Sequence, residues 1–359
     1  MSTPLQASAT RSPFLSLERG RSPMIAVVIP SYRVRTHVLQ VIAAVPPEVT
    51  WIVVVDDACP EGSGELVRNN CADPRVRVHT NARNLGVGGA VMRGYAEAIA
   101  LGAAVIVKID GDGQMDPRLL SFFVTPILAG EADYTKGNRF YDLTNIRQMP
   151  PLRIFGNAVL SFMAKMSTGY WDLFDPTNGY TAIHADVASR LPVDRISTRY
   201  FFETDLLFRL NTLRAVAVDI PMDAHYGDEV SNLRVSQVVG EFLGKHVRNM
   251  GKRVFYSYFL RDLSLASLEL LVGSLLLAGG TVFGIAAWIK ALATSTETTA
   301  GTVMLAALPI IVGLQFLLAF LGYDIASVPR RCLHRSGPGI ARAAMPTGPA
   351  APGVKRTQA

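Results

Sequence analysis

Short apolar runs alternate with longer segments of helical periodicity through the first part of the chain. Three runs, "MIAVVIP" from residue 24, "WIVVVDDA" from residue 51 and "AAVIVKID" from residue 103, are rich in Val and Ile and predict buried strands. Between the last two, "GVGGAVMRGYAEAIALG" from residue 86 has the small and apolar residues of a helix packed on a sheet. The alternation predicts an α/β domain over residues 24–233, with a mostly parallel sheet covered by helices on both faces.

Two long apolar segments near the C-terminal end predict a helical membrane hairpin over residues 263–328. Residues 270–289 are 20 positions without a charge, and residues 303–323 are another 21. At about 1.5 Å per residue, either segment crosses the roughly 30 Å hydrocarbon layer as a helix. Two adjacent segments of this length disfavour the alternative of two buried core helices.

Basic residues flank both sides of the predicted hairpin, whereas its connection, "KALATSTETTAG", carries one Lys and one Glu. The flanking residues are Lys245, Arg248, Lys252, Arg253 and Arg261 before the first span, and Arg330, Arg331 and Arg335 after the second. By the positive-inside tendency, both flanks lie in the cytoplasm. We expect an integral membrane protein with the α/β domain and both termini cytoplasmic, in a bacterial inner or plasma membrane.

The segment 234–262 predicts an amphipathic juxtamembrane helix, because apolar residues recur at helical spacing with Lys and Arg between them. This helix either lies at the headgroups of anionic lipid or packs its apolar stripe on the α/β domain. The aromatic cluster "FYSYF" at residues 255–259 favours the membrane interface. The polar residues 1–23 predict a disordered leader, and the Pro- and Ala-rich end of the chain predicts a disordered cytoplasmic tail over residues 329–359.

The composition narrows the functional classes. Hydrophobic residues make up 49% of the chain and charged residues 18%, which is richer in apolar residues than a typical soluble domain. The net charge of +6 is spread along the chain and disfavours nucleic-acid binding. The three cysteines, Cys59, Cys71 and Cys332, have no CxxC spacing, so neither a disulfide framework nor a zinc site is predicted.

Acidic residues stand where two of the predicted strands end. Asp56 and Asp57 close one strand, and Asp110 and Asp112 stand in "KIDGDGQMDP" at the end of another. Ligands of such sheets bind at the carboxyl ends of the strands. The second pair of carboxylates, with Gln114 as a neutral oxygen donor, suits Mg²⁺ or Mn²⁺, which keep coordination positions for substrate phosphates. A metal diphosphate is the expected ligand.

Other catalytic and phosphate-binding motifs are absent from the sequence. The stretch "GVGGAVMRG" fails the GxGxxG pattern at Val91, and "GEFLGKH" fails the phosphate-loop pattern. No HExxH, GxSxG or kinase motif set occurs. Hydrolase, dehydrogenase and kinase functions therefore lose most of their support.

A series of short motifs runs from "VVIPSY" at residue 27 through "VVVDDACPEGSGE", "NLGVGGAVMRG", "DGDGQMDP", "GNRF", "DPTNGYTAI" and "FFETDLLFRL" to "YGDEVSNL", which ends at residue 233. In content and order the series resembles the inverting family 2 glycosyltransferases with a GT-A fold, in particular the polyprenyl-phosphate (dolichyl-phosphate) mannose and glucose synthases. The resemblance implies a Rossmann-like, mostly parallel sheet and Mg²⁺ or Mn²⁺ as cofactor. It further implies sugar transfer from a nucleoside-diphosphate sugar to a polyprenyl phosphate, dolichyl or undecaprenyl, at the cytoplasmic membrane face.

The resemblance also implies roles for single residues. It gives the nucleotide base and ribose of the donor to Pro30, Tyr32, Asp56 and Asp57. It gives the metal and the donor diphosphate to Asp110, Asp112 and Gln114, and it makes Asp112 catalytic through the metal. Arg139, with Lys136, is implied to hold the acceptor phosphate, and Asp205 joins Arg139 and Asp112 as the third catalytic residue.

The chain departs from the family pattern at two places. "YRV" puts Arg33 and Val34 where the family usually has an acidic Tyr-Asn-Glu, so the contacts of that Glu are lost. Before "SNL" family members often carry Arg and Lys, whereas this chain has His225 or Tyr226 and Asn232. These departures leave open which residues, beyond Arg139 and Lys136, would complete the grip on the acceptor phosphate.

Alternatives from other classes remain open at this point. Glu203 or Asp205 in "FFETDLL" would serve as general base if the acceptor were a sugar hydroxyl of a lipid-linked glycan. An inactive GT-A domain acting as a membrane scaffold or flippase partner is the non-enzyme alternative, which the retained metal ligands disfavour. A processive synthase is disfavoured because QxxRW is missing.

In the first span, Gly280 and Gly284 have the spacing of a close helix contact and suggest a homo-oligomer.

Overall fold

The computed structural model describes residues 23–141, 151–222 and 235–335. Its α/β domain is built on a seven-stranded sheet in the order β3-β2-β1-β4-β6-β5-β7. The strands are β1 (Ile25–Ser31), β2 (Trp51–Asp56), β3 (Val76–Thr80), β4 (Val105–Lys108), β5 (Tyr134–Asn138), β6 (Thr181–His184) and β7 (Ala217–Pro221). Among the described strands, β6 alone runs antiparallel to its neighbours, β4 and β5. The mostly parallel sheet predicted from the sequence is confirmed.

Helices cover both faces of this sheet, and the central strands β1, β2 and β4 are apolar up to the polar residues at their carboxyl ends. The helices of the domain and its C-terminal extension are α1 (Val38–Ala44), α2 (Ser63–Asn70), α3 (Val87–Ala100), α4 (Leu120–Ala129), α5 (Pro151–Thr168), α6 (Ala185–Ala188), α7 (Phe202–Leu213) and α8 (Val235–Phe255). In β1, Val28 belongs to one core cluster, whereas Val27 and Ile29 belong to the other. A strand buried on both sides has no polar alternation, which explains its continuous apolar run.

Helix α8 continues through a π-helical turn, Tyr256–Arg261, toward the hairpin of α9 (Leu265–Thr294) and α10 (Ala300–Ala326). Both hairpin helices are long and apolar enough to cross a membrane. A Cβ on Gly280 would come within 3.0 Å of the backbone oxygen of Ala306, and a Cβ on Gly284 within 3.3 Å of the Ala306 Cβ. The two glycines that were expected to contact a second copy of the chain therefore contact the second helix of their own hairpin. The homo-oligomer stays a prediction.

Helix α8 packs against the α/β domain along one face and leaves the other open. His246 and Asn249 are buried, whereas Leu243 and Val247 are exposed. The ring of His246 meets the edge of the Phe201 ring at 5.0 Å. Of the two predicted placements, packing on the domain is observed for the buried face, and the exposed face remains available to a lipid surface.

The start of the C-terminal tail, predicted as disordered from residue 329, instead docks on the domain up to residue 335. The buried carboxylate of Asp133 accepts hydrogen bonds from the backbone N–H groups of Leu333 at 2.9 Å and His334 at 3.2 Å. A buried carboxylate needs such donors, and the tail supplies them. The predicted leader, the "YGDEVSNL" segment with its His225, Tyr226 and Asn232, and the remaining tail lie outside the described residues.

Candidate active site

The carboxyl ends of β1, β2 and β4 bring the predicted donor residues to one edge of the sheet. Ser31 of β1 lies opposite Asp56 of β2, and Val28 of β1 lies opposite Lys108 of β4, both in parallel register. Tyr32 directly follows β1 and is exposed, and Asp110 follows β4 after one residue and is part-exposed. Pro30 pairs with Val55 one position earlier in β1. The structure thus brings these residues to one edge of the sheet, and their contact with a donor stays a prediction.

Asp110 is paired with a buried lysine that the sequence analysis did not single out. The Nζ of Lys108 lies 2.8 Å from Oδ1 of Asp110 and 3.5 Å from Oε1 of Glu203, and the lysine side chain is 1% exposed. Burial by itself lowers the pKa of Lys108, but the carboxylates of Asp110 and Glu203 raise it above its ordinary value. Lys108 is therefore a permanent cation between two carboxylates. Its signal in the sequence is a charge at the end of an otherwise apolar run.

Gly179 closes the backbone over this ion pair. A Cβ at Gly179 would lie 2.5 Å from Oδ2 of Asp110 and 2.5 Å from Nζ of Lys108. Both distances are shorter than side-chain atoms tolerate, so any larger residue would displace the pair or the loop. The glycine of the "DPTNGY" motif is thus required by a close approach.

Asp112 and Gln114 lie in the part-exposed turn that follows β4. The Oδ1 of Asp112 accepts a hydrogen bond from the backbone N–H of Gln114 at 3.0 Å, which fixes the turn. Together with the part-exposed Asp110, the turn offers carboxylate and amide oxygens to solvent. Hard divalent cations such as Mg²⁺ and Mn²⁺ prefer this donor set, so the residues present fit the predicted metal.

Asp56 and Asp57 are buried and hold loops in place. Asp56 Oδ2 accepts from the backbone N–H of Gly64 at 3.1 Å, at the start of α2. Asp57 accepts from the backbone N–H groups of Leu85 and Gly86, each at 2.8 Å, and so ties β2 to the loop before α3. These bonds show that both carboxylates fix the backbone of neighbouring loops at the carboxyl edge of the sheet. Their direct contact with the nucleotide stays a prediction.

Arg139 lies in a bidentate pair with a carboxylate that the sequence analysis missed. Its Nε is 2.7 Å from Oδ2 of Asp175, and its Nη2 donates to Oδ1 at 3.1 Å. Asp175 is fully buried, whereas the Arg139 side chain is 30% exposed. A buried carboxylate therefore fixes the plane of the guanidinium, while the Arg139 side chain as a whole stays partly exposed. The sequence analysis quoted Asp175 only within the motif "DPTNGY" and gave this residue no role of its own.

Lys136 does not reach solvent, so the structure contradicts its predicted place at the acceptor phosphate. It lies within β5, between Thr181 of β6 and Asp219 of β7, and its side chain is fully buried. Its Nζ donates to the backbone oxygen of Asn178. Burial lowers the pKa of Lys136 to about 8, a shift that the negative charge of Asp175 opposes. Lys136 supports the loop that carries Gly179 rather than the substrate.

The structure shows structural bonds on both carboxylate oxygens of Asp205, and its catalytic role stays a prediction. Its Oδ2 accepts from the backbone N–H of Ser197 at 2.8 Å, and its Oδ1 accepts from Nδ2 of Asn249 at 3.0 Å. It is buried and joins α7 to a loop and to α8. Residues two apart on a helix differ in direction by roughly 200°, so only one of Glu203 and Asp205 can face the site. That residue is Glu203, beside Lys108.

Comparison with known proteins gives three similarities. Residues 26–191 match the sequence profile described as Glycosyl transferase family 2. The chain is 29% identical over 202 residues to polyprenol monophosphomannose synthase of Mycolicibacterium smegmatis, covering 55% of this chain and 75% of that protein. It is 30% identical over 173 residues to undecaprenyl-phosphate mannosyltransferase of Micrococcus luteus, covering 48% and 70% respectively.

Among solved structures, glucosyl-3-phosphoglycerate synthase from Mycobacterium tuberculosis, in complex with Mn²⁺, uridine diphosphate and glucosyl-3-phosphoglycerate, is similar at 19% identity. The match has a TM-score of 0.45 and covers 64% of this chain and 80% of that one.

Proposed function

Because the chain belongs to glycosyl transferase family 2 and has the GT-A fold, we propose that it transfers a sugar from a nucleoside-diphosphate sugar to a polyprenyl phosphate, with inversion at the anomeric carbon. The observation that carries the proposal is one loop that contacts both halves of the site. Asp175 of this loop holds Arg139 on the acceptor side, and Gly179 lies against Asp110 on the donor side. Two anionic substrates would meet across this loop.

On the donor side, the nucleotide lies at the ends of β1 and β2 beside Pro30 and Tyr32, within walls shaped by Asp56 and Asp57. Asp110, Asp112 and Gln114 would hold Mg²⁺ or Mn²⁺, and the ion would supply Lewis-acid stabilisation of the charge that develops on the leaving diphosphate. Lys108 keeps Asp110 in one orientation through their 2.8 Å contact. Gly179 leaves room for the pair to stay in that orientation.

On the acceptor side, Arg139 binds the lipid phosphate by charge-assisted hydrogen bonds. The second pKa of a phosphomonoester is about 6, so the phosphate is largely dianionic at neutral pH and is already a nucleophile. A general base is then dispensable, which agrees with the pairing of Glu203 with Lys108 and with the structural bonds of Asp205. The phosphate oxygen attacks the anomeric carbon from the face opposite the departing diphosphate.

The predicted membrane anchor brings the α/β domain close to the second substrate, the lipid phosphate. Helices α9 and α10 anchor the enzyme, and the basic flanks put the α/β domain and both termini on the cytoplasmic face. The exposed Leu243, Val247, Arg248 and Lys252 of α8 then face the lipid headgroups. The lipid phosphate is found at that surface, which matches an acceptor site built on the cytoplasmic domain.

A second candidate function is transfer to a sugar hydroxyl of a lipid-linked glycan. The observation in its favour is Glu203, a carboxylate whose side chain is 14% exposed beside the donor edge. A hydroxyl must lose its proton during attack, so this reaction would need Glu203 as general base. The 3.5 Å contact with Lys108 would have to be given up for that role.

The proposal is tested with membranes that contain the full chain, polyprenyl phosphate and a panel of radiolabelled nucleotide sugars. We expect one or a few of the nucleotide sugars to label the lipid extract, and only when polyprenyl phosphate is added. Labelling that does not depend on polyprenyl phosphate would contradict the proposed acceptor.

A further inference from the structure

Asp324, near the end of α10, accepts hydrogen bonds from three separate segments of the chain. The Arg253 guanidinium of α8 lies 2.6 Å from its Oδ1 and 3.0 Å from its Oδ2. The hydroxyl of Tyr258, in the π-helical turn, donates to Oδ1 at 2.6 Å. Nε1 of Trp171, in the α/β domain, donates to Oδ2 at 2.9 Å. Asp324 itself is 2% exposed.

Trp171 belongs to the loop that forms the active site. This acceptor loop, residues 169–180, runs from Trp171 through Asp175 to Gly179. Lys165 of α5 donates to the backbone oxygen of Trp171 at 2.8 Å, so the start of the loop is also fixed to a helix. One short, mostly buried stretch therefore joins the end of the second membrane helix to the residue that holds Arg139.

We propose that Asp324 is a positioning residue for the acceptor, which fixes the acceptor loop to the membrane hairpin and so sets Arg139 at the depth of the lipid phosphate. The inference rests on the proposed function. The phosphate of an embedded lipid stays at a depth that the bilayer sets, so the binding group of the enzyme must be held at the same depth. A misplacement of about 1 Å can cost a large factor in rate, which gives a rigid connection its value.

A purely structural role for Asp324 would have a different consequence. Loss of general stability would reduce transfer to every acceptor equally. Loss of positioning would reduce transfer to a membrane-embedded acceptor only, because a short, water-soluble prenyl phosphate diffuses to Arg139 at any orientation of the domain. The two roles are thus separated by the choice of acceptor.

The test compares the full-length protein in liposomes that contain long-chain polyprenyl phosphate with the same protein in detergent and a short, water-soluble prenyl phosphate. Trp171→Phe and Tyr258→Phe each remove one donor to Asp324 and keep the aromatic ring, and Asp324→Asn removes the charge. Tyr323→Phe is the matched control, since Tyr323 is an exposed neighbour whose ring contact with Tyr258 a Phe retains.

For Trp171→Phe and Tyr258→Phe, we expect KM for the embedded acceptor to rise roughly 10- to 100-fold, as suits one lost hydrogen bond to a charged group, with KM for the short acceptor and for the donor unchanged. Tyr323→Phe should match the wild type with both acceptors. Equal losses with both acceptors, or no loss in either single-bond variant, would overturn the proposal. A wild type that transfers sugar to neither acceptor would instead overturn the proposed function.

Discussion

Lys108 lies 2.8 Å from Asp110, and only 1% of the lysine side chain is exposed. The pair places a fixed positive charge beneath the carboxylate that the sequence assigned to the metal. Because Gly179 covers the pair, a side chain at position 179 would displace either the pair or the acceptor loop. Donor and acceptor sides are thereby coupled through a single contact.

Replacement of Lys108 by Met should reduce both stability and activity. The change leaves Asp110 and Glu203 without their shared cation, but both carboxylates are partly exposed, so the expected loss is roughly 1–3 kcal/mol rather than the value for a fully buried pair. Thermal unfolding of the detergent-purified protein measures it. The control is Arg118→Met, which removes a surface ion pair from an arginine that is 81% exposed and should change stability by less than about 0.5 kcal/mol. Wild-type stability of Lys108→Met would show that the pair is not structural.

The proposed metal site predicts a strict need for the charge of Asp112. Asp112→Asn keeps the shape of the side chain and should lower transfer by about 100-fold or more, because a neutral amide stabilises the cation poorly. Excess EDTA should stop the wild type, and added Mg²⁺ or Mn²⁺ should restore it. Asp116→Asn is the matched control, since Asn also caps the turn that Asp116 begins and should leave transfer intact. Normal transfer by Asp112→Asn would remove Asp112 from the metal site.

The acceptor grip predicts that Arg139 cannot be replaced by lysine. A lysine side chain lacks the planar fork that Asp175 holds, so Arg139→Lys should lower kcat/KM for polyprenyl phosphate by roughly 10- to 100-fold and leave KM for the donor unchanged. Arg93→Lys is the control, because Arg93 makes a surface pair with Glu97 and is 54% exposed. A defect confined to donor binding would place Arg139 on the other side of the site.

Loss of the charge of Asp205 should affect the stability of the protein rather than its rate of catalysis. In Asp205→Asn, one of the donors from Ser197 and Asn249 meets an amide N–H₂, so we expect a loss of stability of about 1–3 kcal/mol with kcat nearly unchanged. Circular dichroism on heating gives the first quantity, and initial rates well below the unfolding temperature give the second. A fall in kcat with full stability would return Asp205 to the chemistry.

His246 predicts a dependence of stability on pH. Burial lowers its pKa from 6.5 to about 4, so between these pH values the unfolded chain takes up a proton that the folded protein does not. The free energy of unfolding should therefore fall as the pH is lowered from about 6.5 to 4, by on the order of 3 kcal/mol from this residue. His246→Gln should remove that part of the slope, and identical slopes for both proteins would contradict the assignment.

The sequence predicted the central strands and α3 well because each is a local pattern. Strands β1, β2 and β4 are apolar runs, and α3 carries small residues that let it approach the sheet closely. Strand β6 was not predicted, since the four residues "TAIH" acquire their strand identity only from pairing with β4 and β5. Non-local pairing of this kind leaves no periodic signal.

The residues of the candidate site likewise divide into those that a local pattern predicts and those that depend on contacts distant in the chain. Asp110, Asp112 and Gln114 were found from their position after a strand, because that position alone determines that they reach solvent. The error at Lys136 arose from side-chain direction, which depends on the neighbouring strands. The direction of Asp205 depends in the same way on the phase of its helix. Asp324 has no local signal for its role, because its three donors come from segments 66 to 153 positions away in the chain.

The most direct test of the proposed reaction is the linkage in the labelled lipid product. A sugar joined to a lipid phosphate is an anomeric phosphodiester and is labile to mild acid, and Glu203→Gln should still make it within about tenfold of the wild-type rate, because an ionised phosphate needs no base. We predict that mild acid releases the labelled sugar and leaves polyprenyl phosphate. An acid-stable bond between two sugars, together with a Glu203→Gln enzyme slowed by about 100-fold or more, would contradict the account and identify a glycan-extending transferase.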